Sequence, residues 1–329
     1  MDPVSARSPA PAAPGRDLDL LVLGEVNPDV IVRAADPRPA FGQVERWVDA
    51  IELVIGSSSV IFACGAARLG LRVAMAGVVG DDALGRFMVG AMTERGLDTS
   101  AVRVDPGVPT GASVILSGPT DRAILTAPGT MPLLRAADVP PALVARARHL
   151  HVGSFFLLDA ARPDLPALFA AARAGGATTS LDCNWDPRGA WDGGIRELLA
   201  ETDVFLPNAA EATRIAGVHD VEAAARALLG LGPRVVAVKL GAGGALAVTA
   251  GGDAVRCPAL GVDSIDTTGA GDSFDAGFLA GWLAGRPLAA CLALGVACGS
   301  LSTGGMGGTA AQPTLAAAEA AARAAGLPA

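Results

Sequence analysis

One short segment, Asp266–Asp272 (DTTGAGD), combines residue types that could perform chemistry. Gly269 and Gly271 permit a tight turn and let a ligand approach the backbone closely. Asp272 follows directly, which places a carboxylate beside the turn. A carboxylate in such a position can take the proton from an attacking hydroxyl group, as a general base does. The spacing therefore predicts a general base next to backbone N–H groups that could meet a ligand.

The elements around this turn indicate what kind of ligand it would hold. The pattern predicts a short strand at Val262–Ile265 and an apolar helix from about Ala270 to Leu283. The amides of Gly269–Gly271 then lie at a helix N-terminus, where the dipole and unpaired N–H groups favour an anion. With a phosphoryl group in transit, these amides would stabilise its charge while Asp272 accepts the proton. Helix capping by Asp272 is the alternative, but the strand–turn–helix context favours catalysis.

The rest of the chain alternates apolar runs with helical patterns. Leu18–Val26 and Val73–Gly80 are nearly continuous apolar runs, typical of strands that are covered on both faces. Ser58–Gly70 and Asp81–Gly96 have helical spacing and end at glycine. The alternation predicts an α/β fold in three layers, with a mainly parallel central sheet and helices on both faces.

Two segments interrupt the alternation and predict a small β-sheet lid. The segment Ala34–Leu53 is polar and has no continuous apolar pattern. The segment Thr110–Thr126 has the pattern of two paired strands around the turn-like Ser117–Asp121. The first 17 residues are rich in proline, alanine and serine and lack the apolar core of a signal peptide. The predicted division is a flexible tail at 1–17 and one α/β domain at 18–329, with lid segments inserted at about 34–53 and 108–126.

Composition excludes several classes of protein. The 329 residues are 51% apolar and carry a formal net charge of −8, which argues against a nucleic-acid partner bound through a basic surface. Five cysteines without a C-x-x-C pair or nearby histidines favour neither a disulfide framework nor a zinc site, and indicate the reducing cytoplasm. The uncharged stretch Pro287–Ala318 is interrupted by glycines and polar residues, so it predicts a buried helix and a glycine-rich loop, with no membrane partner.

Two nucleotide-binding motifs are missing. No G-x-G-x-x-G follows the first predicted strand, where GEVNPD stands instead, so a dinucleotide oxidoreductase is disfavoured. The only lysine is Lys239, which follows a valine, so the Gly-Lys pair of a P-loop is absent. Polar residues nevertheless cluster directly after predicted strands, where open α/β sheets bind their ligands.

The motifs and their order resemble the ribokinase-like (PfkB) carbohydrate kinases, whose C-terminal signature is D-T-x-G-A-G-D. GEVNPD, ARLG, GVVGDDALGRFM and NAAE follow in that family's order, and the similarity covers Leu18 to about Pro313. The resemblance implies ATP and Mg²⁺ as cofactors and a β lid over the acceptor. It makes Asp272 the general base and Gly269–Gly271 the anion hole in γ-phosphate transfer to a hydroxymethyl group of a sugar-like acceptor. Lid pairing in relatives further implies a homodimer.

The resemblance assigns ATP-binding roles to two more motifs. Asn208 and Glu211, in N-x-x-E spacing, would face the triphosphate, with Glu211 ordering Mg²⁺ through water. A helix cap explains Asn208 equally well. The loop after Lys239 would contact the nucleotide, and Lys239 itself could either approach the phosphates or form a surface ion pair. The candidate contacts in that loop are Gly241, Gly243 and Gly244.

The acceptor side departs from the family pattern. The resemblance assigns the acceptor's hydroxyls to Asp29 of the N-x-D motif that begins at Asn27, with a simple turn as the alternative. Relatives carry a double glycine and then an asparagine that bonds the sugar. Here Gly56 is followed by Ser57, and Ile61 takes the place of the asparagine. The loss of this hydrogen-bonding side chain weakens discrimination for one hydroxyl and favours a more apolar acceptor than ribose, such as a nucleoside or a modified sugar.

Two further motifs have family counterparts. Asn184, in a strand-end D-x-N segment, would lie near the acceptor or the phosphates, while Trp185 and Trp191 are predicted to be packing residues. Asp266 and Thr268, with carbonyl groups of the loop near 301–308, are candidates for the monovalent-cation site of many relatives, which would hold K⁺.

Three hypotheses about function remain. A kinase for a sugar or sugar-like acceptor is the leading one, and a nucleoside (adenosine-like) kinase is the nearest alternative. A sugar- or nucleotide-binding regulator without catalysis on the same fold is the third, because a fold alone does not determine activity.

Overall fold

A nine-stranded sheet and a four-stranded sheet organise the chain. The computed structural model describes residues 15–118 and 122–328. Most of the predicted tail (1–14) and part of the turn-like Ser117–Asp121 (119–121) lie outside the described residues.

The strands and helices of the described residues are numbered here in chain order. The strands are β1 (Leu18–Leu23), β2 (Pro28–Arg33), β3 (Ala50–Ile55), β4 (Val73–Gly80), β5 (Asp98–Asp105), β6 (Ala112–Ser117), β7 (Arg122–Ala127), β8 (Ala147–Val152), β9 (Thr178–Leu181), β10 (Val204–Phe205), β11 (Val235–Lys239), β12 (Ala245–Thr249) and β13 (Ala254–Cys257). The helices are α1 (Ser58–Arg68), α2 (Ala83–Glu94), α3 (Pro141–Arg146), α4 (Leu165–Ala174), α5 (Ile195–Leu199), α6 (Ala209–Ala216), α7 (Val221–Leu229), α8 (Ala270–Leu283), α9 (Leu288–Ser302) and α10 (Leu315–Ala324).

The large sheet confirms the predicted α/β class. Its order is β13-β12-β11-β10-β9-β8-β1-β4-β5, and the pairs from β11 through β5 are parallel, while β12 and β13 join antiparallel. Every residue of β1 and β4 is buried, as their continuous apolar sequences predict. Successive β1 side chains enter two different cores, Leu20 joining one with Phe278 of α8, and Leu21 joining the other with Phe169 of α4. The sheet is therefore packed on both faces.

The small sheet has the order β3-β2-β6-β7 and includes a strand outside the predicted lid segments. The segments predicted at about 34–53 and 108–126 contain β6 and most of β3 and β7, whereas β2 precedes them. Residues 34–49 contain no strand. Two prolines in this stretch, Pro37 and Pro39, lack the N–H that strand pairing requires.

The predicted strand at Val262–Ile265 is wrong. This segment has no regular structure, and its side chains are exposed. Its β-branched composition has no neighbouring strand to pair with, so tertiary context overrides the local preference. The Ile265 amide instead donates to the Thr303 carbonyl at 2.8 Å, which attaches the segment to the loop after α9.

The helix α8 matches its predicted limits and packs closely on α9. A Cβ atom on Gly277 would lie 2.6 Å from the Leu294 carbonyl oxygen, and one on Gly281 would lie 3.0 Å from the Cα of Cys291. Glycines at these positions let the two helices approach at backbone distance. The stretch from Pro287 thus forms a buried helix, and no helix within the described ranges is long and apolar enough to cross a bilayer.

Candidate active site

The N-terminus of α8 is built on a glycine in the left-handed region. Gly269 has φ 73° at the N-cap position, which favours glycine over any other residue. A Cβ atom there would also lie 2.6 Å from the Cα of Gly308 and 2.8 Å from Cγ2 of Ile61. Ile61 is buried against this turn. The loop after α9 and helix α1 therefore hold the turn from two sides.

The backbone amides of this turn are largely available to a ligand. The Ala270 amide makes a 3.3 Å bond to the Thr267 carbonyl, so one of the three predicted anion-hole amides has an internal partner. The amides of Gly269 and Gly271 have no acceptor among the described residues, and neither has that of Asp272. Asp272 thus adds a donor that the sequence analysis did not assign to the anion hole.

Two cavities meet at this helix end. The first has a volume of about 780 Å³ and is lined by Thr268, Gly269 and Asp272 together with strand-end polar residues. The second, about 620 Å³, is lined by Thr267, Ala270 and Gly271 together with the loop after β11. The N-terminal turn of α8 therefore forms a wall shared by both cavities. Among the strand-end residues of the first cavity are Glu25, Asn27, Asp29, Ser57, Ser58 and Asn184.

Asp272 is 9% exposed and lines the first cavity. Burial raises its pKa well above the ordinary value, and the Asp182 carboxylate raises it further. The Lys239 ammonium and a hydrogen bond from Ser58 act in the opposite direction. A carboxyl with a raised pKa has a stronger affinity for a proton, which suits a general base.

Lys239 forms a buried ion cluster. Of its two predicted roles, approach to the phosphates or a surface ion pair, the second is wrong because its ion pairs are buried. Its Nζ lies 2.9 Å from Asp182 Oδ2 and 2.9 Å from Asp275 Oδ2. The carboxyl oxygens of Asp182, Asp272 and Asp275 come within 4.8 Å of one another. The Lys239 side chain also passes beneath Gly271, because a Cβ atom there would lie 3.6 Å from Nζ. One ammonium thus faces three acidic groups at the base of α8.

Asn208 and Glu211 form a reciprocal cap at the start of α6. Asn208 Oδ1 accepts from the Glu211 amide at 2.9 Å, and Glu211 Oε2 accepts from the Asn208 amide at 2.8 Å. The capping role left open by the sequence is therefore present, and neither residue lines the second cavity. Burial, followed by the nearby Asp182 charge, raises the pKa of Glu211 to about 7.

The residues near Glu211 have the chemistry that Mg²⁺ prefers. Oxygen atoms of Asp182 and Glu211 lie within 4.8 Å of each other, with the Cys183 thiol beside them. Hard divalent cations prefer carboxylate and water oxygens, and a second positive charge would offset the surplus of acid around Lys239. The donor set is compatible with a hydrated magnesium ion held through Asp182 and Glu211.

Asp29 is a buried carboxyl without a hydrogen-bond partner among the described residues. It is 7% exposed and lines the first cavity. Burial, and then the Glu25 carboxyl, raises its pKa to about 7. A Cβ atom on Gly56 would lie 2.3 Å from Asp29 Oδ1, so glycine is required beside it. An unpartnered carboxyl that borders a cavity is suited to accept hydrogen bonds from a ligand's hydroxyl groups. Asn27, from the same motif, also lines the cavity.

Ser57 occupies backbone geometry that favours glycine. Its φ is 69°, in the left-handed region that glycine adopts most readily. Its hydroxyl donates to the Glu25 carbonyl at 2.5 Å and accepts from the Val60 amide at 3.1 Å, capping α1. These two bonds offset part of the strain, and Ser57 still lines the first cavity.

Glu25 was missed by the sequence analysis as a site residue. It is 3% exposed and lines the first cavity. The hydroxyls of Ser59 and Ser154 donate to its two carboxyl oxygens at 2.7 and 2.8 Å. Its position after the first strand was a visible signal. Its partners, 34 and 129 residues away along the chain, were not.

Asn184 is in the first cavity, which agrees with the acceptor-side alternative. Its Nδ2 donates to the hydroxyls of Ser58 at 3.2 Å and Ser154 at 3.1 Å. The adjacent Trp185 was predicted to be a packing residue, but it is 52% exposed and lines the same cavity. Trp191 does pack, with its ring at 5.6 Å from that of Phe156.

The three candidate glycines of the loop after β11 differ in whether they line the second cavity. Gly241 and Gly244 line the second cavity, whereas Gly243 does not. Gly244 has φ 84°, and a Cβ atom there would lie 2.0 Å from the Cys257 carbonyl oxygen. Its glycine is therefore required by the contact of this loop with the end of β13.

The predicted monovalent-cation ligands, Asp266 and Thr268, have hydrogen-bond partners within the protein. Asp266 Oδ1 accepts from the amide and hydroxyl of Thr268 at 2.9 and 2.8 Å, and Oδ2 accepts from the Gly307 amide at 2.9 Å. The Arg122 guanidinium donates to the Thr268 hydroxyl and lies 3.8 Å from Asp266. The loop carbonyl of Thr303 is also occupied by backbone amides. Internal donors and a guanidinium thus already contact both side chains, and a role for Asp266 and Thr268 in holding K⁺ stays a prediction.

Several known proteins are similar to this chain in sequence or in architecture. The 2-dehydro-3-deoxygluconokinase of Thermoproteus tenax is 30% identical over 312 residues, which cover 90% of this chain and 92% of the relative. The adenosine kinase of Sinorhizobium meliloti is 26% identical with a TM-score of 0.81, over 93% of this chain and 99% of that structure. The Arabidopsis thaliana ribokinase, solved with ribose and ATP, has a TM-score of 0.80 at 22% identity over 93% of this chain and 99% of that one, and so shares the fold.

A family model described as pfkB family carbohydrate kinase matches residues 18–315. This match covers both sheets and the turn that precedes α8. Together with the kinase relatives, it makes this protein a phosphotransferase. The chain belongs to the pfkB family of carbohydrate kinases.

Proposed function

We propose that the protein transfers the γ-phosphate of ATP to a hydroxymethyl group of a sugar-like acceptor. One observation carries this proposal: the N-terminal turn of α8 separates two cavities and offers free amides and a buried carboxyl at their junction. An acceptor in the first cavity and a nucleotide in the second would meet at that junction. Phosphoryl transfer depends mainly on such positioning and on electrostatic stabilisation.

Asp272 acts as the general base in this proposal. Its raised pKa favours uptake of the proton from the acceptor's hydroxyl as the oxygen attacks the γ-phosphorus. The unpaired amides of Gly269 and Gly271 stabilise the charge on the transferring group, with the α8 dipole adding to the effect. The Asp272 amide lies in the same first turn and contributes to the same anion site.

Asp29 orients the acceptor, and the second cavity holds the nucleotide. The free carboxyl of Asp29 accepts hydrogen bonds from two hydroxyls, which determines orientation as well as affinity. Gly241 and Ala242 contact the nucleotide along the wall of the second cavity. Mg²⁺, when bound with ATP near Asp182 and Glu211, neutralises phosphate charge.

Lys239 acts through position and charge instead of direct phosphate contact. Its Nζ is held by two carboxylates, one from the end of β9 and one from the second turn of α8. This cluster joins the helix to the sheet and keeps a positive charge beneath the Gly271 amide.

The test is an ATP-consumption screen over pentoses, hexoses, keto-deoxy acids and nucleosides. For the acceptor that turns over, Asp272→Asn should lower kcat by roughly 100- to 10,000-fold, the range for a lost general base, with ATP affinity nearly unchanged. Asp253→Asn, an exposed acid after β12, is the control and should leave kcat unchanged. An Asp272→Asn enzyme with full kcat would remove Asp272 from the mechanism. Binding without turnover across the panel would favour the regulator.

A nucleoside acceptor is the second candidate. Ile61 replaces a hydrogen-bonding asparagine at the acceptor side, and an adenosine kinase is among the structural relatives. The two candidates differ in the screen, since a nucleoside kinase would turn over nucleosides with a higher kcat/KM than free pentoses.

We also propose that the small sheet mediates self-association. Its residues that face away from the first cavity share one apolar face across all four strands, and Ile51, Leu53 and Leu125 are 66%, 44% and 62% exposed. A second copy of the same face would cover this surface. Leu125→Lys should convert the dimer to a monomer in sedimentation, and a wild-type protein that sediments as a monomer would contradict this part of the proposal.

A further inference from the structure

About half of the Trp185 side chain is not covered by neighbouring residues. It is 52% exposed although it lies at the first cavity, beside the polar residues that would hold an acceptor. A large aromatic side chain in water forgoes the stabilisation that burial would provide. The exposure therefore needs an explanation other than packing.

The backbone on both sides of Trp185 is held rigidly. Asn184 has φ 57°, in the left-handed region, and its Oδ1 accepts from the Trp185 amide at 2.7 Å. Asp186 is buried and accepts from the amides of Arg188 and Trp191 at 2.9 and 2.7 Å. These bonds fix the direction in which the indole leaves the loop.

The indole ring is also held in place. The Arg214 guanidinium, from α6, lies over the Trp185 ring at 4.4 Å from its centroid. The Trp191 ring meets it edge to face at 5.0 Å and 90°. Contacts of this kind keep the ring oriented without burying it. Trp185 is therefore both exposed and part of the lining of the first cavity.

A chain of contacts relates this ring to the reacting centre. Ser58 lies close enough to Asp272 to lower the pKa of that carboxyl, and its hydroxyl accepts from Asn184 Nδ2 at 3.2 Å. Trp185 is the next residue along the chain. An acceptor whose hydroxyl reaches Asp272 and which extends past Asn184 would therefore meet the indole.

The cavity has room and apolar walls for such an extension. Its volume of about 780 Å³ lies in the upper part of the range for drug-sized ligands. Besides the Asp159–Arg188 ion pair, the loops after β7, β8 and β9 contribute apolar side chains to the lining. Among these are Met131, Pro132, Phe156, Leu157 and Pro187. A single sugar ring held at Asp29 would leave much of this volume empty.

We propose that Trp185 is a specificity-determining residue that stacks against a second ring of the acceptor. This inference rests on the proposed kinase function, with the first ring carrying the phosphorylated hydroxyl. The shared chemistry is a ring with a flat or apolar face, either a nucleobase or a second glycosyl ring. Arg214 and Trp191 keep the indole in the stacking orientation before the acceptor binds, so little side-chain entropy is lost on binding.

The experiment measures acceptor binding by calorimetry, without turnover. One series compares ribose with adenosine and cytidine, and the other compares glucose with maltose. We expect at least one two-ring compound to bind roughly 10- to 100-fold more tightly than its one-ring parent, the range that stacking supplies. Trp185→Ala should remove this advantage and leave the affinity for the one-ring parent within about twofold, while Trp185→Phe should retain most of it.

The two series identify the second ring, because a gain in the first indicates a base and a gain in the second indicates a sugar. The proposal is wrong if no two-ring compound gains affinity, or if Trp185→Ala weakens one-ring and two-ring compounds equally. ATP affinity, measured in the same variants, serves as the control for folding and should not change. Failure of the kinase function has a different signature, namely an Asp272→Asn enzyme with unchanged kcat.

Discussion

The turn at the start of α8 and the wall of the first cavity are built in different ways. The turn consists of neighbouring residues, Asp266–Asp272, whose geometry follows from glycines and a helix start. The cavity wall brings together strand ends, a loop and the small sheet, so that Glu25 meets Ser154 from 129 residues away. In the proposed mechanism the turn supplies the chemistry, whereas the cavity wall holds the acceptor. We therefore expect changes at the turn to affect catalysis for every acceptor, and changes in the wall to affect acceptor binding alone.

The largest expected effect lies beneath the turn, at Lys239. Lys239→Met leaves Asp182 and Asp275 buried without their counter-charge, and breaking a buried pair in this way costs about 3–5 kcal/mol. We expect the free energy of unfolding in urea to fall by that order. Adding Asp275→Asn to Lys239→Met should recover part of the loss because it removes one uncompensated charge. If the single variant were as stable as wild type, the cluster would not hold α8 to the sheet.

The next effect concerns the turn itself. Gly269→Ala places a side chain at φ 73° and within 2.6 Å of the Gly308 backbone, so strain of about 1–3 kcal/mol or a displaced turn should follow. We expect kcat to fall for all acceptors alike, since the amides move together. Gly90→Ala in α2, where a Cβ atom meets nothing within 4 Å, is the matched control. A fall in kcat for one acceptor alone would contradict the expectation that changes at the turn affect every acceptor.

A smaller effect should appear as a pH dependence of acceptor binding. The pKa of Asp29 is raised to about 7, so the group is protonated below that pH and ionised above it. Only the carboxylate accepts two hydroxyl hydrogen bonds without donating a proton, so affinity for the acceptor should rise with pH and level off above about 7. Binding to an Asp272→Asn background, measured by calorimetry, separates this titration from that of Asp272. Asp29→Asn should bind weakly with no pH dependence around 7; a persisting rise would assign the titration to another group.

The smallest expected effect concerns Ser59, which supports Glu25 in the lining of the first cavity. Ser59→Ala removes the donor to Glu25 Oε2, a bond of 2.7 Å, and should lower the free energy of unfolding by about 1 kcal/mol. We expect KM for the acceptor to rise a few-fold, with kcat and ATP affinity unchanged. Ser100→Ala, at an exposed position of β5, is the control. A fall in kcat without a change in KM would show that Glu25 acts on the chemical step.

The order of strands and helices could be predicted because each depends on a local pattern. Burial on both faces makes β1 and β4 continuously apolar, and α8 begins and ends where its glycines and apolar spacing indicate. The strand predicted at Val262–Ile265 is absent, because strand formation needs a neighbouring strand that no local pattern can supply.

The same distinction applies to the residues of the site. The position of residues within one motif, such as Gly269 and Asp272 at the start of α8, was predictable because their geometry depends on neighbours in the chain. The partners of Lys239 and the exposure of Trp185 were not, because each depends on segments that only folding brings together. A hydrogen bond or an ion pair acts over a few ångströms of space, whatever length of chain separates its two ends.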